Sequence, residues 1–252
     1  MTDNITLYNG DCLEVMQRLI ELGIKVDMIL CDLPYGVTNH KDDKPLPFDK
    51  LWECYDAIIS DNGVIVLFAQ GEFYVDLVNS NRKLFKYDLV WDKQLSTGFL
   101  NANRMPLRRH ESIAVFYKKA PVYNPQKSIG APNHGKGTKY KTQQTVNQNY
   151  GVYNPIETET STLKHPTSII SFQKPHPSKC VHRTQKPISL LEYLIKTYTN
   201  EGMTVLDNCM GSGSTGIAAR NTDRKFIGIE KDSHYFNMAK EILIAETSLK
   251  IG

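Results

Sequence analysis

The chain of 252 residues has no C-x-x-C pair, and its five cysteines stand singly at 12, 31, 54, 180 and 209. An odd count without paired spacing argues against a disulfide framework or a structural zinc site, and it fits a reducing cytosol. The seven histidines show no ligand spacing either, so no metal is expected. Long apolar runs are missing. Stretches such as Val64–Ala69 fall far short of the roughly 20 residues that span a bilayer, so no membrane association is expected. The opening MTDNITLYNGDC has neither a basic start nor an apolar stretch, so no signal peptide is expected and the cytoplasm is the expected location. Glycine (16) and proline (12) are too sparse for a collagen-like or low-complexity chain, and aromatics reach 10%. What remains is a globular chain long enough for one α/β domain with an inserted lobe.

The formal net charge of +3 conceals an asymmetry. Residues 82–190 carry 18 Lys and Arg against 5 Asp and Glu, a net of +13, and the remainder carries 12 against 22, a net of −10. A basic middle between acidic ends suits an element facing a polyanion, although a solvated lysine-rich insertion has the same composition.

Hydrophobic periodicity predicts strands at 5–8, 26–31, 64–69, 87–91, 112–117, 204–207 and 225–230. It predicts helices at 13–22, 51–60, 73–79, 188–198, 215–220 and 234–246. Asp61-Asn62-Gly63 reads as a turn. Alternating strands and helices imply a mostly parallel sheet covered on both faces. From Pro121 to Lys179 the pattern dissolves into Asn, Gln, Thr, Pro, Gly and Lys with isolated tyrosines. A stretch of that length inside a compact domain is a functional segment or a mobile one.

Two motifs carry chemistry. The first is strand, glycine loop, helix: Thr204-Val-Leu-Asp207-Asn208-Cys209-Met210-Gly211-Ser212-Gly213-Ser-Thr-Gly216. It contains the literal G-x-G-x-x-G of dinucleotide sites. A carboxylate at Asp207 would repel a pyrophosphate and welcome an ammonium. Glu230, at the end of the next strand, can accept hydrogen bonds from ribose hydroxyls. The pair suits a nucleoside ligand with a cationic end, of which S-adenosylmethionine is an example. A ligand-free tight turn and a nicotinamide site share part of the pattern.

The second motif is Asp32-Leu33-Pro34-Tyr35, at a strand's carboxyl end, where open α/β sheets place ligands. Asp32 and the local carbonyls offer acceptors, Pro34 stiffens the turn, and Tyr35 offers a flat face. Those parts suit a planar molecule with an exocyclic amino group. An ordinary Asx turn would use the same residues.

The tetrapeptide resembles the Asp-Pro-Pro-Tyr motif of amino-DNA methyltransferases, with Leu33 in place of the first proline. The glycine loop is similar to that family's cofactor loop, with Asn208 where proline is usual and Cys209-Met210 replacing an aromatic-small pair. His182-Arg183-Thr184-Gln185-Lys186-Pro187 resembles its His-x-Thr-Gln-Lys-Pro signature. Trp91, Lys93, Arg109-His110-Glu111 and Phe116 resemble the region before its target-recognition segment. The order, catalytic turn first and cofactor loop last, resembles the β group found in type II restriction–modification systems and phages.

The resemblance implies a Rossmann-like S-adenosylmethionine-dependent methyltransferase fold, circularly permuted, with Ile5–Tyr8 lying beside Lys225–Glu230. It implies a catalytic half at 1–119, a target-recognition insertion at 120–181 and a cofactor half at 182–252. Asp32, Leu33, Pro34 and Tyr35 become the catalytic turn. Asp11, Cys31, Thr184, Lys186, Asp207, Asn208, Met210, Gly211, Ser212, Gly213 and Glu230 become the cofactor set. Arg104, Arg108, Arg109, Lys136 and Lys139 become DNA contacts. The implied reaction methylates N6 of adenine in a short sequence of double-stranded DNA after base flipping. A homodimer and a separate cognate restriction endonuclease are compatible partners. No Pro-Cys pair occurs, which argues against methylation at cytosine C5, and the cysteines read as small buried hydrophobes. N4-cytosine, RNA or protein-amide methylation on the same fold stays open, as does a non-catalytic DNA-binding module with a decayed cofactor pocket. Asp32, where N4-cytosine members usually carry serine, favours adenine.

Overall fold

Strand β2 (Val26–Asp32) explains the architecture, because both of its faces are apolar. Ile29 and Cys31 point to one side, Met28 and Leu30 to the other, as the two-residue strand period requires. The neighbouring β3 (Ile59–Ala69) repeats this, with Ile65 and Leu67 against Val64, Val66 and Phe68. A strand buried on both faces needs a helical layer on each. Helices α1 (Cys12–Glu21), α2 (Phe48–Ile58) and α3 (Gly71–Ser80) cover one face, and α4 (Ile188–Tyr198), α5 (Ser214–Asn221) and α6 (Ser233–Ala245) cover the other.

The computed structural model describes residues 4–36, 44–132, 145–147, 151–153, 161–174 and 185–245. Two compact units emerge: residues 1–124 with 168–252, and residues 125–167. The second unit carries two short antiparallel pairs. In one, β6 (Ser128–Ile129) pairs with β9 (Leu163–Lys164). In the other, β7 (Thr145–Asn147) pairs with β8 (Gly151–Tyr153).

The main sheet adds β1 (Ile5–Asn9), β4 (Phe85–Thr97), β5 (Arg108–Phe116), β10 (Ile169–Ser171), β11 (Thr204–Asp207) and β12 (Lys225–Glu230). Its order is β1-β12-β11-β2-β3-β5-β4-β10, and only β5 runs antiparallel to its neighbours. Ile5 pairs with Phe226 and Asn9 with Glu230, the juxtaposition expected of a permuted chain. The carboxyl ends of β2, β3, β4, β11 and β12 therefore share one edge of the sheet.

Two expectations need correction. Residues 59–60 are strand, not helix. Asp61-Asn62-Gly63 is not a free turn but lies within β3, where the pairing with β2 slips between Val26–Ile59 and Met28–Val64. Turn-forming residues here make a bulge rather than a strand end. Ile169–Ser171, inside the 120–181 segment, pairs in parallel with β4 as an edge strand. Only Ile170 of the three is buried, too little for a periodic signal.

Candidate active site

At the carboxyl end of β2 the chain turns through Leu33-Pro34-Tyr35. Leu33 drops its side chain into the core beside α1–α3, which accounts for an apolar residue where the resembled motif has proline. Tyr35 stacks on Phe73 of α3, ring centroids 4.8 Å apart, and its hydroxyl donates to Asp32 Oδ1 at 2.6 Å. Lys186 Nζ reaches Asp32 Oδ2 at 2.8 Å and Glu111 Oε2 at 2.9 Å. Lys93 Nζ meets the other Glu111 oxygen at 3.2 Å. Charges thus alternate from Lys93 through Glu111 and Lys186 to Asp32. The Lys186 ammonium also lies 4.8 Å from the Phe68 ring centroid, 5.8 Å from Trp91 and 6.0 Å from Tyr35.

Burial alone would drive the proton off Lys186, but Asp32 and Glu111 outweigh it and hold the ammonium above its ordinary range. Burial likewise works to protonate Glu111, and Lys186 and Lys93 overcome it, keeping the carboxylate below its usual range. Lys93 moves down, because its burial is only partly offset by Glu111. A buried charge without partners is costly, so the alternation is what permits four ionised groups in so small a volume.

The glycine loop is built differently. Asp207 is buried, with Oδ2 accepting from Thr215 Oγ1 at 2.6 Å and Oδ1 from the Cys209 amide at 3.1 Å. Those donors are neutral, and burial pushes the carboxyl up to about 6. Glu230 accepts from the Gly211 amide at 2.9 Å and the Asp232 amide at 2.8 Å; burial raises its carboxyl despite both. Each oxygen keeps a lone pair for a further donor. Gly213, at φ 84°, caps α5, and a Cβ there would press on Ala239 and Leu243 of α6. Beside Gly211, by contrast, a Cβ would meet nothing within 4 Å, so a ligand can approach that backbone. A buried carboxylate with no cation beside it among the described residues, a second carboxylate with spare acceptors, and an open glycine edge fit a nucleoside ligand with an ammonium end.

The other expected residues fall as follows. Asp11 caps α1 through the Leu13 amide at 3.0 Å and pairs with Lys231 at 3.2 Å. Cys31 and Met210 are buried, the latter packed over Gly228, so backbone is what they can offer a ligand. Ser212 is buried in the loop. Asn208 accepts from the Tyr55 hydroxyl at 2.7 Å, tying the loop to α2. Arg108 donates to Gln70 at 3.0 Å, Arg109 forms a two-pronged pair with Asp92 at 2.7 and 3.0 Å, and Arg104 is exposed. Thr184, Lys136 and Lys139 lie outside the described residues. The four described cysteines are free, and no group that could hold a metal occurs among the described residues.

Lys186, expected at the cofactor, is in contact with the carboxylate of Asp32. Lys93 and Glu111 were placed by resemblance only in the region before the target-recognition segment, and Phe68, Thr215 and Tyr55 had no assigned role. Glu111 carried one usable signal, a charge two residues before the buried apolar run Ile113–Phe116.

Comparisons with known proteins bear on the family and the fold. The DNA methylase family model for N6 and N4 methyltransferases matches residues 26–241. Type II methyltransferase M.HpaI of Haemophilus parainfluenzae is 31% identical over 254 residues, spanning 95% of this chain and 74% of that protein. The crystal structure of the M1.HpyAVI–SAM complex has a TM-score of 0.65 at 27% identity, covering 95% of this chain and 100% of that one. PvuII DNA methyltransferase, named as cytosine-N4-specific, has a TM-score of 0.63 at 15% identity, covering 95% of this chain and 86% of that one; at that identity the likeness is of fold alone. The match across 26–241 places this chain in the N6/N4 DNA methylase family.

Proposed function

We propose that this protein methylates the N6 amino group of adenine within a short sequence of double-stranded DNA, using S-adenosylmethionine. Family membership supports the coarser part, a DNA methyltransferase. The observation that carries the finer part is Asp32, a carboxylate at the mouth of the sheet fixed by Tyr35 and Lys186.

When bound, the cofactor supplies an electrophilic methyl group on a sulfonium. Asp207 would hold its ammonium end and Glu230 its ribose hydroxyls. Adenine's amino nitrogen is a weak nucleophile because its lone pair is delocalised into the ring. Asp32 and a carbonyl of Leu33 or Pro34 would accept the two amino hydrogens and favour a pyramidal nitrogen. Tyr35 would stack on the base. Its ring is braced by Phe73, so the stacking face is set before the base arrives, and much of the acceleration comes from such positioning. The base leaves the duplex to reach this turn, at a cost of about a few kcal/mol. Lys186 and Glu111 act as positioning residues, since they reach the base only through Asp32.

Incubation with tritiated S-adenosylmethionine and unmethylated phage DNA, followed by nucleoside analysis, tests the assignment. N6-methyladenine is the expected product, and sequencing of the modified DNA then gives the site. N4-methylcytosine would overturn the base assignment. Label in RNA or protein but not DNA would overturn the substrate.

A further inference from the structure

The β4–β5 hairpin carries an unusual surface. Of thirteen large hydrophobic side chains exposed among the described residues, five fall between 95 and 107: Leu95, Phe99, Leu100, Met105 and Leu107. Phe99 is 78% exposed and Leu100 84%. Soluble proteins seldom gather apolar side chains in the open without a partner for them.

The tip is built rather than slack. Gly98, at φ 91°, turns the chain into a 3-10 turn at Phe99–Asn101. Backbone bonds run from Asn101 N to Gly98 O at 2.9 Å, from Ala102 N to Phe99 O at 3.1 Å and from Arg104 N to Asn101 O at 2.8 Å. Thr97 Oγ1 donates to Arg108 O at 3.1 Å and closes the neck. The turn therefore holds Phe99 and Leu100 outward.

Its position is defined by strand register. Asp32 pairs with Phe68 and Phe68 with Ile113, which sets the level of the catalytic turn on β5. Strand β5 continues five residues from there back to Arg108, roughly 16 Å at about 3.3 Å per residue, and the tip lies past that. Because β4 runs parallel to β3, the tip projects from the same sheet edge as Asp32. Between 94 and 110 the hairpin holds Arg104, Arg108 and Arg109 and no acidic residue, a charge suited to phosphates.

We propose that Phe99 and Leu100 form an apolar wedge that enters the base stack of duplex DNA beside the target, filling the space vacated as the base turns out. The occupant is nucleic acid rather than a second copy of this chain, because Arg104 and Arg108 flank the apolar tip with no acid between 94 and 110, and only Arg109, at its base, is matched by a carboxylate, that of Asp92. This rests on the functional reading above. Apolar side chains inserted between base steps offset lost stacking, so the wedge matters most when the target starts out paired and stacked.

The test uses a synthetic duplex bearing the site mapped above, with the target adenine opposite either thymine or an abasic site. The Phe99→Ala/Leu100→Ala protein should lose about tenfold or more in single-turnover methylation of the paired target yet stay within about threefold of the parent on the abasic duplex. Calorimetric binding of S-adenosylmethionine should be unchanged. Equal losses on both duplexes, or none on the paired one, would overturn the wedge. A parent dimer that falls to monomers in the variant, seen by sedimentation, would make the patch a subunit contact and also overturn it. Parent protein that methylates no DNA at all would refute the functional reading and the wedge with it.

Discussion

Asp32 and Asp207 end adjacent parallel strands, β2 and β11, yet they are held by different means. Asp32 has a phenol on one oxygen and an ammonium on the other. Asp207 has a threonine hydroxyl and a backbone amide, and its carboxyl is pushed up to about 6. A carboxylate whose charge the protein already matches can be aimed at a neutral amino group. One with no cation beside it among the described residues is suited to a ligand that brings the cation. Under the proposed function, the difference suits them to different parts of one reaction.

Removing Asp32 should have the largest effect. Asp32→Ala deletes the aimed acceptor and leaves Lys186 with Glu111 alone, and methyl transfer should fall at least about a thousandfold. Titration with S-adenosylmethionine should show binding little changed. Equal loss of cofactor affinity would erase the proposed division of labour.

Next is Glu111→Gln, which takes one charge from between two buried ammoniums. Breaking such a pair should lower unfolding stability by roughly 3 kcal/mol in denaturant titration. Turnover should fall with KM for DNA little altered, because Asp32 is then held by a lysine free to shift.

Asp207→Asn probes the other strand. Cofactor affinity should drop by about 1–3 kcal/mol in calorimetry. The folded carboxyl, at about 6 against an ordinary 3.8, binds its proton more tightly than the unfolded chain does. Its contribution therefore favours the fold at low pH and is lost as pH rises from about 4 through 6. At pH 8 the free Asp207→Asn protein should gain on the parent in thermal unfolding, and at pH 4 that gain should vanish. Parent affinity for the cofactor should strengthen as pH rises through about 6. A flat profile there would show that Asp207 does not meet the ammonium.

Tyr35→Phe is the mildest change. It removes one hydrogen bond to Asp32, worth about 1 kcal/mol, and keeps the ring on Phe73. Methylation should fall only a few-fold, whereas Tyr35→Ala should fall much further.

Both carboxylates were legible in the sequence because each follows an apolar strand and opens a turn, and that local grammar marks a ligand edge. The pairing of β1 with β12 followed from motif order. What holds the carboxylates was not legible. Lys186 meets Glu111 across 75 residues and Tyr55 meets Asn208 across 153. No local pattern encodes such contacts, since only the completed sheet brings the partners together. The wedge shows the opposite weakness: Phe99 and Leu100 look like core residues until the fold places them in the open.

The pairing of β1 with β12 also sets an order of assembly. Among the described strands, β1 bonds only to β12, from which it is separated by some 220 residues of chain. As the polypeptide leaves the ribosome, strands β2, β3, β4 and β5 can find one another early, while β1 waits with an unsatisfied edge. The most distant contact in the sheet closes last, setting Asn9 beside Glu230, which the pairing of β12 with β11 brings to the loop. A chain that stalls before β12 therefore carries the Asp32 turn without Glu230, so under the proposed function it is synthesis of the final strand that completes the seat for the methyl donor.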